Sequence, residues 1–110
     1  MARRTWSLGL VALAAFGAHA QEPHARGRTV FENWCAPCHA PGARHPGTQA
    51  LEALYKGAKP AALEQRTDLT PELTRAFVRT GVSVMPPFRK TEISDADLDA
   101  LAGYLAPKAQ

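Results

Sequence analysis

Residues Cys35-Ala36-Pro37-Cys38-His39 set two thiols three positions apart with an imidazole directly after the second. This spacing is the attachment pattern for a c-type haem, in which both thiols bond to the porphyrin and the histidine binds the iron. A porphyrin is larger than any side chain. A short chain that carries one must wrap apolar elements around it and either supply a second axial ligand or leave the iron open.

Three other chemistries use paired cysteines. Structural zinc takes about four ligands, yet the chain has only these 2 cysteines, so His24, His39 and His45 would have to complete the set. A thioredoxin-like pair belongs in a βαβ context, and no strand-period alternation of useful length is present. A disulfide across two residues would leave His39 without a role and a small core without a staple. Covalent haem attachment uses all three motif residues, with His39 as the proximal ligand.

Upstream of the motif, Val30, Phe31 and Trp34 form a stripe that fits a short amphipathic helix over residues 27–34. Gly27 within it costs about 1 kcal/mol against alanine, which implies close approach by another backbone, expected to be the last helix. Residues 21–26 are polar and read as a frayed terminus. Phe31, Trp34, Leu101 and Tyr104 are expected as core around the haem. Downstream, residues 40–47 carry two Pro-Gly turn signals and read as a loop, followed by helical turns over 48–55 and a weaker helical segment over 60–66. Thr70-Pro71-Glu72 is a helix start and Gly81 its stop. Ser94, with Asp97 three residues on, caps a closing helix whose stripe is Leu98, Leu101 and Leu105. The fold class is all-α.

Between those two helices lies Val82-Ser83-Val84-Met85-Pro86-Pro87-Phe88. Paired prolines forbid a helix there and fix the direction of Met85. Methionine is commonly core filler. Here the only other methionine is Met1, and about one helix-loop-helix unit separates Met85 from His39, so Met85 is expected as the second axial ligand. His24 and His45 are the rival ligands. A histidine–methionine pair raises the reduction potential and closes the iron to oxygen chemistry, which points to electron transfer. A haem sensor or peroxidase-like enzyme would need a displaceable sixth ligand.

Residues 1–20 read as a cleavable secretory leader: Arg3 and Arg4, an apolar run from Leu8 to Gly17, then Ala18-His19-Ala20. The run is about ten residues, short of the roughly 18 that would span a membrane. Residues 21–110 are then a single domain with no membrane insertion, expected in the periplasm. The whole chain has a formal net charge of +3. Loss of Arg3 and Arg4 reduces its 13 basic side chains to 11 against 10 acidic ones, and haem propionates lower the balance further. Nothing in that balance supports nucleic-acid binding.

Taken together, Gly27 and Phe31, the motif 35–39, Pro46, Val78-Arg79-Thr80-Gly81, Met85-Pro86 and Tyr104 resemble the class I c-type cytochromes. That resemblance implies a small cytochrome c fold of short helices wrapped around one covalent haem c, with first and last helices crossing at Gly27, Phe31 and Tyr104. It also implies that Pro46 orients the axial histidine through its carbonyl. More finely, Trp34, His45-Pro46-Gly47-Thr48, Arg66-Thr67-Asp68-Leu69-Thr70 and Met85-Pro86-Pro87-Phe88-Arg89-Lys90 resemble the cytochrome subunits of flavocytochromes that oxidise para-alkyl phenols, such as 4-cresol methylhydroxylase and eugenol hydroxylase. This implies an FAD-containing flavoprotein partner and a downstream electron acceptor. The alternative is a free-standing diffusible respiratory carrier. Arg75, Arg79, Arg89 and Lys90 flank the methionine loop, either as a solvated face or as groups that bind propionates or rim a docking surface.

Overall fold

The computed structural model describes residues 23–108. The leader segment 1–20 lies outside the described residues. Among these residues the fold is all-α, with one isolated bridge between Val82 and Met85 as its only strand-like pairing.

Helix α1, Pro23–Val30, starts earlier than the sequence predicts, because the segment read as frayed is helical from Pro23 onward. Proline suits a helix's first turn, and tertiary contacts hold the segment. Arg26 Nε donates to Asp97 Oδ1 at 2.8 Å, and the His24 ring meets Tyr104 edge-on at 5.0 Å. The helix then widens into a π-helical turn, Phe31–Cys35, closed by Ala36 N–H donating to Phe31 O, and continues as α2, Ala36–His39. A π-turn shifts the phase of every later side chain. Phe31 is fully buried and Cys35 half-buried, and Trp34, directly before Cys35, stands edge-on to Phe88 at 5.9 Å.

Helix α3, Pro46–Tyr55, begins at Pro46 and not at Thr48, so the loop is shorter than predicted. Lys56 and Gly57 end it with positive φ of 49° and 82°. The weak segment 60–66 forms only a 3₁₀ turn, Leu63–Gln65, with extended backbone on either side. Helix α4, Pro71–Thr80, has the predicted ends: Thr70 Oγ1 accepts from Leu73 N at 3.2 Å, and Gly81 N–H donates to Phe77 O. Helix α5, Asp95–Leu105, starts where Ser94 Oγ accepts from Asp97 N at 3.1 Å. Ser94→Ala should cost about 1 kcal/mol, lowering the melting temperature by about 4–8 °C.

The core lies where α1 and α5 cross and where α4 packs on α5. Phe31, Val78, Leu98, Leu101 and Leu105 meet there with almost no exposure. Gly27 makes the crossing possible. A Cβ on it would lie 2.6 Å from Tyr104 Cβ and 2.8 Å from the Ala100 carbonyl carbon. No described helix is long and apolar enough to cross a membrane.

Candidate haem site

Cys35, the last residue of the π-turn, and Cys38, in α2, are free thiols, Cys35 half-buried and Cys38 exposed. Burial, reinforced by Cys38, pushes the Cys35 thiol up to about 12. A redox-active pair needs a lowered thiol pKa, so the thioredoxin-like reading lacks its central property. Among the described residues no three His, Cys, Asp or Glu side chains converge to hold a metal ion, which leaves the zinc reading without a ligand set.

His39 ends α2 half-buried. Burial and then the charge of Arg66 hold its pKa below the ordinary value, so the imidazole is neutral near pH 7, the state that ligates iron. Its Nδ1 is buried with no hydrogen-bond partner. Pro46, whose carbonyl the resemblance assigns to orienting this imidazole, opens the first turn of α3. The neighbour of the ring is Gly47. A Cβ there would lie 2.7 Å from His39 Cε1 and 2.7 Å from Cys38 O. Thr48, fully buried, donates from Oγ1 to Ala40 O at 2.8 Å and ties α3 to the end of the motif. Sequence reasoning missed Gly47 and Thr48; the Pro46-Gly47 turn signal was the only sign of a close approach.

Arg66 was also missed as an individual. Its side chain is only 7% exposed, bidentate to Asp68 at 2.7 and 2.9 Å, with Nη1 donating to the Tyr55 hydroxyl at 3.0 Å. Arg66 and Lys59 hold the Asp68 carboxyl well below the usual carboxylate range. The signal was an Arg-x-Asp spacing in a non-helical stretch.

Met85 packs half-buried on the same apolar cluster as Cys35, Leu63, Leu73 and Phe88. Its loop is fixed from both sides. Val82 N–H donates to Met85 O at 3.1 Å and Met85 N–H to Val82 O at 2.9 Å, while Phe88 N–H donates to Val78 O at 2.7 Å and Arg79 Nη1 to Phe88 O at 3.1 Å. Gly81, at φ 69° and ψ 171°, occupies backbone space open essentially to glycine alone. Gly81→Ala adds a Cβ 2.7 Å from Met85 O and 2.9 Å from Pro87 N. The expected cost is about 1–3 kcal/mol, with Met85 displaced and the near-infrared sulfur-to-iron band of the oxidised haem protein weakened or lost.

The rival histidines are engaged elsewhere: His24 against Tyr104, and His45 through Nδ1 donating to Pro37 O at 3.1 Å. The four cations flanking the loop are held within the chain. Arg75 meets Asp99 at 2.8 Å, Arg79 meets Asp95 at 2.9 Å, Lys90 meets Asp95 at 2.9 Å and Arg89 meets Glu92 at 3.1 Å.

These residues fit a covalently held porphyrin. Two unpaired thiols precede a half-buried imidazole, a glycine cradles that imidazole, and Cys35 shares an apolar cluster with the chain's one internal methionine. Crossed terminal helices and this motif define a small c-type cytochrome, an electron-transfer haem protein with haem c as its cofactor. The model of the family described as cytochrome C oxidase, cbb3-type, subunit III, matches residues 22–105, and the chain belongs to that family. No curated protein matches the chain significantly.

Proposed function

We propose that the chain is a periplasmic one-electron carrier that holds one haem through thioethers at Cys35 and Cys38, with His39 and Met85 as axial ligands. The observation that carries this is the Met85 loop: backbone bonds and Gly81 hold the side chain against the cluster that includes Cys35. When bound, haem c supplies reversible one-electron chemistry at iron. His39 presents a neutral nitrogen, its ring held by Gly47, and Met85 presents a soft sulfur that favours reduced iron and excludes small ligands. The leader at 1–20, with its two arginines and apolar run and expected to be cleaved, supports the location.

For the electron donor, the segments around Trp34, His45–Thr48, Arg66–Thr70 and Met85–Lys90 support an FAD-containing subunit that oxidises para-alkyl phenols. The family's name, that of an oxidase subunit, favours a second reading as a carrier toward a respiratory oxidase. Purification from the native source separates them. Co-elution with a flavin and phenol-oxidising activity supports the first, and elution alone with oxidase-reducing activity supports the second. Attachment is tested with Cys35→Ala and Cys38→Ala. Each should leave a single thioether and shift the reduced pyridine-complex α-band toward that of unattached haem, and an unshifted band would refute the assignment.

A further inference from the structure

Phe88 is held to α4 through both of its backbone polar groups, and one of the two bonds comes from a side chain. Its N–H donates to Val78 O at 2.7 Å, and its carbonyl accepts from Arg79 Nη1 at 3.1 Å. The same guanidinium donates from Nη2 to Asp95 Oδ1 at 2.9 Å, while Lys90 Nζ lies 2.9 Å from Asp95 Oδ2. Lys90 and then Arg79 hold the Asp95 carboxyl below its ordinary range, so it is ionised at neutral pH. One guanidinium therefore joins the end of α4, the segment after Met85 and the first turn of α5. A planar fork of donors meets a carbonyl and a carboxylate at once, whereas an ammonium is a point charge without that fixed geometry. At 23% side-chain exposure Arg79 is also the least exposed of the four cations around the loop.

What happens at Phe88 reaches Met85. Only Pro86 and Pro87 stand between them. Each proline ring fixes its own φ, and a residue before proline is confined to extended backbone, which restricts Met85 and Pro86 as well. A linker this stiff absorbs little displacement, so a shift of the Phe88 carbonyl moves the methionine. Arg75 provides the contrast. One helical turn earlier on α4, it also bridges to α5, with Nε 2.8 Å from Asp99 Oδ1, and among the described residues it makes no bond to the loop. Exposed ion pairs add little to stability, so the two arginines differ in what they hold and not in how strongly they tie α4 to α5.

We infer that Arg79 is a positioning residue for the second axial ligand: braced by Asp95, it fixes the Phe88 carbonyl and, through Pro86 and Pro87, keeps the Met85 sulfur from being displaced from the iron. This rests on the Met85 reading above and adds the group that maintains it.

The test compares Arg79→Gln with Arg75→Gln in the holoprotein by two readouts, imidazole titration of the near-infrared sulfur-to-iron band and hydrogen exchange at the Phe88 amide followed by NMR. Arg79→Gln should lower the imidazole concentration that halves the band about tenfold, and speed exchange at Phe88 by a similar factor, as expected for the loss of a charge-assisted hydrogen bond. Arg75→Gln should change either readout less than about twofold. Arg79→Lys keeps the charge and loses the fork, and should stay nearer to Arg79→Gln than to wild type. Full recovery by Arg79→Lys would overturn the inference by assigning the effect to charge alone. Equal effects of Arg79→Gln and Arg75→Gln would overturn it too, as would wild-type behaviour of Arg79→Gln, or a fall in its melting temperature large enough to account for the faster exchange. A wild-type holoprotein without the near-infrared band would refute Met85 ligation itself, and the Phe88 exchange rates separate that failure from failure of the arginine brace.

Discussion

Met85→Ala lowers the reduction potential by about 100 mV or more, equivalent to about 2.3 kcal/mol per 100 mV for one electron. The expected direction follows from ligand softness: a thioether stabilises reduced iron, and the water or hydroxide that replaces it favours oxidised iron. The variant should still fold. The turn around Met85 is closed by backbone bonds to Val82, and Phe88 is anchored to Val78 independently of the methionine side chain. Cyanide, imidazole and carbon monoxide should then bind at neutral pH, where the wild-type protein resists them. Midpoint titration, the near-infrared spectrum and ligand titration check the three consequences. An unchanged potential with an intact sulfur band would remove Met85 from the iron and reopen the sensor and peroxidase-like readings.

Gly27→Val destabilises the fold by about 3 kcal/mol or more, reaching the upper range for overpacking because the obstructing atoms include backbone. At an exposed helical site, replacing glycine stabilises by up to about 1 kcal/mol. The sign reverses at Gly27, where a Cβ would sit 2.6 Å from Tyr104 Cβ and 2.8 Å from the Ala100 carbonyl carbon. Relief requires α5 to move bodily from α1, which disturbs Phe31 and Leu101. The melting temperature should fall by about 12 °C or more, followed by circular dichroism and haem absorbance. Gly103→Ala is the matched control: it lies in α5 with nothing within 4 Å of a Cβ, and it should raise stability by up to about 1 kcal/mol. Equal effects at the two glycines would disprove the close crossing.

Much of the local structure was legible because its signals are local. Thr70-Pro71 and Ser94 with Asp97 predict helix starts through hydrogen bonds spanning three residues, and both form. Gly81 predicts a stop because the chain there needs backbone angles that other residues avoid. Less was legible where partners distant in sequence decide. Helix α1 begins at Pro23 because Asp97 and Tyr104, some 70 to 80 positions later, hold its first turns. Trp34 meets Phe88 edge-on at 5.9 Å, a contact across 54 positions that no apolar stripe announces. The four cations around the methionine loop suggested a charged rim, and the carboxylates that hold them belong to Glu92 and the face of α5.

By itself, the amino-acid sequence determined the chemistry that the chain offers: two thiols and an imidazole at fixed spacing, one internal methionine behind two prolines, and helical stripes with readable ends. Those are matters of residue identity and short-range geometry. Only the tertiary structure decided that Gly47 lies against His39, that Gly81 locks the Met85 turn, and that the flanking cations are already paired. Each of these depends on which backbone comes within a few ångströms of which side chain, and that is set by the packing of whole helices.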